Sequence, residues 1–387
     1  MLIIGLISGT SADAIDAALV RFPPDTAVPQ PEVVAYCEQP YPADVQQRLE
    51  RLLADAAGGP AEICELHVLI GQAFAAAAHA VVAQAGYTMH QIDLIASHGQ
   101  TIYHQVQPGR VRSTLQLGAA AEIAERTGCT VVSDFRSRDI AAGGEGAPLA
   151  PLLDTLVLAH PDRDRVLVNI GGIANLTYVP AGDPAAAIAF DTGPGNTLID
   201  GAVRRFSQGV DWFDRNGTLA AAGKVDDDLL RQWLADPYYA RPAPKSTGRE
   251  QFDRSYLAAC IAAGQARGLS PADLVATLTA VTAQSIAMAC RQLVPRLPAE
   301  AIVSGGGAHN ATLLRMLAAA LGSAVQLQRL ESLGWPGDAK EAILFALLGY
   351  MTIHGRPGNL PGCTGARYPV VLGSITPGKQ FGSLLYR

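Results

Sequence analysis

The sequence predicts an α/β protein built from two pseudo-duplicated halves, each a mixed sheet flanked by helices. Three observations predict it. Strand-like and helix-like stretches alternate along the 387 residues, the grammar of α/β architecture. Two stretches, LIIGLISGTSADAIDAALVRF near the N-terminus and RVLVNIGGIANLTYV from Arg165, repeat one device: an apolar β-branched run, a tight turn of Gly with Ser, Thr or Asn, and a second strand-like run. The chain is also longer than one hydrophobic core usually serves, so two domains of roughly 150–200 residues are expected.

In the first half, the hairpin leads to a strand at 32–37, helices over 42–57 and 62–86, and an apolar strand at 92–97 that ends in HGQTIYH. A helix near 119–127 and a strand at 130–133 follow. The second half repeats the order with strands at 166–169, 174–179 and 186–190 and helices around 196–206, 226–235 and 254–267. After the long helical pattern 271–294, a strand at 301–304 runs into GGGAHN and another helix. The Gly- and Pro-rich AAGGEGAPLAP at 141–151 reads as a hinge or as an ordinary surface loop. The Gly- and Pro-rich segment from 356 onward is expected to fold back on the first lobe. The expected lobes are therefore 1–138 with about 355–387, and 139–354.

A net charge of -6 and the lack of any long Lys/Arg run argue against nucleic acid or an anionic membrane as partner. Cys37, Cys64, Cys129, Cys260, Cys290 and Cys363 are scattered without a C-x-x-C pair, which points to free thiols in a reducing compartment. The N-terminus carries no basic n-region. The Ala-rich run 73–83 is broken by His79, and the apolar run 341–353 is short for a bilayer span. A cytoplasmic protein is expected.

Neither a P-loop nor a dinucleotide fingerprint is present, so any phosphate is held by a distributed site. Glycines let backbone N–H groups crowd around an anion, and the hydroxyls of Ser8, Thr10 and Ser11 or the amide of Asn169 add donors. In SGTSADAID, Asp13 and Asp16 stand where a carboxylate can hold a hydrated Mg²⁺ beside those phosphates, or where Asp side chains cap a turn. NIGGIANLT offers Gly171 and Gly172 for close backbone approach. In FDTGPGN, Asp191 follows an apolar run and precedes a sharp turn, which suits a general base, with helix capping as the alternative. SGGGAHN joins a strand to a helix through Gly305, Gly306 and Gly307, with Asn310 after them; a nucleotide or close helix packing explains them. SHGQTIYH and DFRSRDIAAGGEGAP bring His98, Gln100, Asp134, Arg136 and Arg138 to strand ends, a mixture suited to a hydroxylated, anionic small molecule or to surface ion pairs. PAPKSTGREQF adds Lys245 and Arg249, either solvated or closing on a ligand. DAKEA places Asp338 and Glu341 in the first turn of a helix.

Taken together, GLISGTSADAID, ASHGQTIYH, DFRSRDIAAGGEGAPL, NIGGIANLT, AFDTGPGN, PKSTGREQF, SGGGAHN, DAKEA and NLPGCTGA resemble the anhydro-N-acetylmuramic acid kinases of the actin, hexokinase and Hsp70-like ATPase superfamily. The resemblance implies two lobes around a central cleft that binds Mg-ATP and a 1,6-anhydro sugar, and a homodimer. It implies that Gly9, Thr10, Ser11, Ala12, Asp13, Ala14, Ile15 and Asp16 contact ATP, that Asp191 activates water, and that Glu341 assists at the sugar. His98 and Arg138 would orient sugar substituents, with Gln100 beside them. Ala14, Glu145 and Ser304 stand where the family pattern usually has Gly, Gln and Cys.

Overall fold

The structure, a computed structural model, describes residues 1–9, 12–23, 31–55, 58–107, 109–243, 245, 247 and 251–384. It divides into two compact units, Met1–Leu156 with Asp338–Arg387, and Val157–Gly337.

In the first unit β1 (Leu2–Ser8), β2 (Ala14–Arg21) and β3 (Glu32–Pro40) form an antiparallel meander. On the other side of β1 lie β4 (Leu94–Gln105) and β6 (Val131–Ser133), both parallel to it, while β5 (Ser113–Leu117) pairs antiparallel with the far part of β4. β2 alternates as a strand between two environments must. Ile15, Ala17 and Leu19 enter the apolar core with Leu66, Ile70 and Phe74 of the helix Pro60–Gln84. Ala14 and Asp16 face the other way. Across the sheet the helix Lys340–Ile353 lies directly on β1, where a Cβ on Gly5 would stand 1.8 Å from the carbonyl oxygen of Ala342. Only glycine permits that approach.

The second unit repeats the plan. β7 (Arg165–Ile170), β8 (Ala174–Val179) and β9 (Ile188–Gly193) form a meander, and β10 (Glu300–Ser304) and β11 (Gln326–Arg329) extend the sheet parallel to β7. The two sheets therefore share one order, β3-β2-β1-β4-β6 and β9-β8-β7-β10-β11. This is the duplicated α/β plan expected of the actin and hexokinase-like ATPases. Val166, Val168 and Ile170 pack with Ile286 and Cys290 of the helix Pro271–Gln292.

The expected lobe boundaries need correction, because 139–156 and 338–354 belong to the first unit. The helix Lys340–Ile353 is a layer of that unit, and Lys340 Nζ lies 2.7 Å from the buried Asp154 carboxylate. Nor does 141–151 read as a hinge. The fully buried Asp139 accepts from Gly146 N at 2.7 Å, Asn359 Nδ2 at 2.6 Å and Thr364 Oγ1 at 2.7 Å, stitching that loop to the C-terminal segment. The C-terminal segment does return to the first unit, where its strand Ser374–Thr376 pairs with β6. The helices Pro60–Gln84 and Pro271–Gln292 are long and apolar enough to cross a membrane, yet 56% and 83% of their apolar windows are buried within the protein.

Candidate active site

The turn after β1 opens onto a pocket of about 390 Å³ in the first unit, lined by Ser8, Gly9, Asp13, Asp16, His98, Arg136 and Glu341 among others. Strand alternation places Asp16 there, and its partner across the ladder is Glu38, a second lining residue. The Tyr36 hydroxyl stands 2.7 Å from Asp16 Oδ1 and 3.0 Å from Glu38 Oε1. Burial raises the Asp16 carboxyl to about 6, against the Tyr36 hydrogen bond, with Glu38, Glu341 and Asp13 adding repulsion.

Arg136 brings positive charge to this wall. Its Nε donates to His98 Nε2 at 2.9 Å and its Nη1 to the Gly146 carbonyl at 2.8 Å. Because a guanidinium only donates, His98 Nε2 accepts, and the imidazole proton sits on Nδ1, 2.9 Å from the Gly99 carbonyl. Burial first, and then the Arg136 charge, hold His98 well below its usual range, so it is neutral. The His98 ring packs 4.5 Å from the Phe345 ring. Phe345 and Glu341 are one turn apart on the same helix, so the packing that seats Phe345 also aims Glu341 at the pocket.

In the second unit three turns converge. Asn196 N and Thr197 N donate to the Gly171 and Gly172 carbonyls at 2.8 and 3.1 Å, and Asn196 Nδ2 to the Ile170 carbonyl at 3.1 Å. Gly195, at φ +49°, lies so close that a Cβ would meet the Gly171 oxygen at 2.4 Å. The Gly305–Gly307 turn closes on the same place, with a Cβ on Gly305 reaching Asn169 Oδ1 at 2.6 Å and one on Gly307 reaching Ile170 Cγ2 at 2.3 Å. Asp191 lies within β9 rather than beyond its end; it is half-buried, and its Oδ2 accepts from Thr247 N at 2.8 Å.

The profile of the anhydro-N-acetylmuramic acid kinase family matches residues 1–378. The chain belongs to that family. Relatives named anhydro-N-acetylmuramic acid kinase include one from Rhodococcus erythropolis, 48% identical and covering 98% of this chain and 95% of the relative. One from Streptomyces coelicolor is also 48% identical, over 98% and 95%, and one from Gloeobacter violaceus 47%, over 97% and 98%. The protein is accordingly a kinase that uses ATP and acts in sugar metabolism.

Several residues expected from the family motifs occupy other places. Ala12 and Ile15 are fully buried in the apolar core, so the 9–16 stretch offers Gly9, Asp13, Ala14 and Asp16 to the pocket. Thr10 and Ser11, and likewise Arg249, lie outside the described residues. Gln100 is fully buried and donates through Nε2 to the carbonyls of Gly9 (3.1 Å) and Thr101 (3.2 Å), bracing the turn instead of lining the pocket. Arg138 is exposed, and Arg136, two residues earlier, lines the pocket. Asn310 caps the helix Ala311–Leu321 by accepting from Leu313 N at 2.9 Å. Lys245 is not solvated; it is 6% exposed.

Proposed function

We propose that the protein opens the 1,6-anhydro bridge of 1,6-anhydro-N-acetylmuramic acid with water while phosphorylating O6 from ATP, yielding N-acetylmuramic acid 6-phosphate and ADP in peptidoglycan recycling. The observation that carries the reading is the first-unit pocket, in which a phosphate-suited turn, a buried-edge carboxylate and an arginine share one wall in a chain of this family. Asp191 takes a proton from water as its oxygen bonds to C1 of the sugar. The C1–O6 bond breaks, and O6 accepts the γ-phosphoryl group as the bond to ADP breaks. Glu341 steadies the sugar from the helix Lys340–Ile353, with His98 beside it. Arg136 binds the lactyl carboxylate of the substrate.

Gly9 and its neighbours in the turn, the Gly171–Gly172 and Gly305–Gly307 turns, and Asn169 hold the nucleotide. Asp13 and Asp16 fit Mg²⁺, which is commonly bound by one or two carboxylates together with phosphate oxygens, and which neutralises phosphate charge when present. A homodimer in the cytoplasm completes the reading.

The test is coupled ADP release with the anhydro sugar, N-acetylmuramic acid and glucose side by side, run in ¹⁸O-labelled water. Turnover confined to the anhydro sugar, with label at the anomeric carbon, is expected. Equal turnover of the opened sugar without label rejects bridge hydrolysis. Asp191→Asn is expected to bind ATP normally and to lose roughly 10²–10⁴-fold in turnover, the usual contribution of a general base.

A further inference from the structure

Lys245 places an ammonium inside the second unit, where a strongly hydrated charge costs free energy unless it is fully engaged. It is engaged. Nζ donates to the Tyr238 carbonyl at 3.0 Å and the Tyr239 carbonyl at 3.2 Å, and stands 4.4 Å from the centre of the Tyr238 ring. Both tyrosines belong to the short helix Pro237–Ala240 and are packed by Phe252, so the receiving carbonyls are themselves fixed. Burial, with Arg241 acting the same way, brings this lysine down to about 8, while Asp191 pulls it up.

The two segments that the ammonium joins are the ones that touch Asp191. The Lys245 carbonyl accepts from Asp191 N at 3.0 Å, Thr247 N donates to Asp191 Oδ2 at 2.8 Å, and the Tyr238 hydroxyl donates to the Asp191 carbonyl at 2.8 Å. β9 is an edge strand, so its outer side is completed by this segment rather than by another strand of the sheet. A backbone N–H aimed at one carboxylate oxygen sets the plane of that carboxylate.

We propose that Lys245 is a positioning residue for Asp191: its ammonium anchors Lys245 to the carbonyls of Tyr238 and Tyr239, and Thr247, two positions along the chain, thereby holds the Asp191 carboxylate through its amide in its working orientation. The inference rests on the reading of Asp191 as the base. A lysine that merely secured a loop would lower stability without regard to what stands at position 191, and this difference is measurable.

The experiment is a double-mutant cycle on the full chain, using single-turnover ADP formation with the anhydro sugar. Lys245→Met is expected to lower kcat about 10–100-fold with KM for ATP changed less than about twofold, and Lys245→Arg to recover most of the loss. In an Asp191→Asn background, Lys245→Met is expected to cost less than about twofold more, because the group it orients is already disabled. Equal losses in the two backgrounds overturn the proposal. Should Lys245→Met fail to give folded protein by circular dichroism, Lys245→Gln, which keeps an N–H donor for one carbonyl, takes its place under the same criterion. Wild-type turnover in Asp191→Asn alone removes the base reading, and the role of Lys245 with it.

Discussion

Arg136 and His98 show how one proton decides the character of the pocket. With Nε2 accepting from the guanidinium, His98 cannot gain a second proton without losing that bond, and burial already opposes the charged form. Its folded affinity for a proton is thus below that of the unfolded chain, so stability fully present above about pH 6.5 is lost progressively as the pH falls from there toward the depressed folded value. Thermal midpoints measured from about pH 7.5 to 5 are expected to fall more steeply for the wild type than for His98→Gln, whose amide oxygen still accepts from Arg136. Parallel slopes would remove His98 from the acid response. Arg136 itself faces Asp13, Asp16, Glu38 and Glu341 on the pocket lining, so an anionic sugar meets repulsion that this guanidinium must offset. Arg136→Met is expected to lower kcat/KM for the lactyl-bearing sugar by about 10–100-fold, the equivalent of about 1.5–3 kcal/mol for a charge-assisted hydrogen bond. The same substitution should leave an analogue lacking that carboxylate nearly unaffected; equal losses for both would argue against carboxylate recognition. Residue chemistry of this kind was half visible beforehand. DFRSRD offers two arginines, but which one turns inward depends on where the helix Ser137–Ala141 begins, and composition is silent on that.

Both hairpins could be read from the chain because β-branched runs flank glycine turns with little else competing for the pattern. β4 could not be read in full. Its second part, HGQTIYHQ, is polar and continues past the neighbouring strands to pair with β5, so it lacks the apolar run that marks a central strand. That extension is why Gln100 is buried against the Gly9 turn rather than displayed on a loop. The helix Lys340–Ile353 hid its location for the opposite reason: being buried almost all round, it has no polar face to show which sheet it covers. Gly5 records the answer, since the helix backbone occupies the space of a side chain there. Gly5→Ala is expected to cost about 3 kcal/mol or more, at or beyond the upper end of ordinary overpacking, because backbone rather than a flexible side chain must move. Urea denaturation measures it, and a loss under 1 kcal/mol would mean that the helix does not lie on β1 as described.

The division of labour between the two units was expected, while the point of division was not. No linker composition marks residue 156, which falls inside the helix Ala150–Leu158, whereas 337 closes the short Gly- and Pro-containing stretch 334–337 just before the helix Lys340–Ile353. The glycines of 141–151 serve the packing around Asp139 instead, where a Cβ on Gly144 would meet Asp139 Oδ2 at 2.2 Å. Val157–Gly337 is one continuous segment with its own sheet and two apolar clusters, so it is expected to fold when produced alone, with a cooperative thermal transition and its near-ultraviolet spectrum intact. A non-cooperative melt would show that it depends on the rest of the chain. The first unit has no such independence, since Met1–Leu156 and Asp338–Arg387 complete it from opposite ends. As the ribosome extends the chain, β1 emerges long before the helix Lys340–Ile353 that covers it. Translation at about 5–20 residues per second leaves that apolar sheet face bare for on the order of tens of seconds before its covering helix is made.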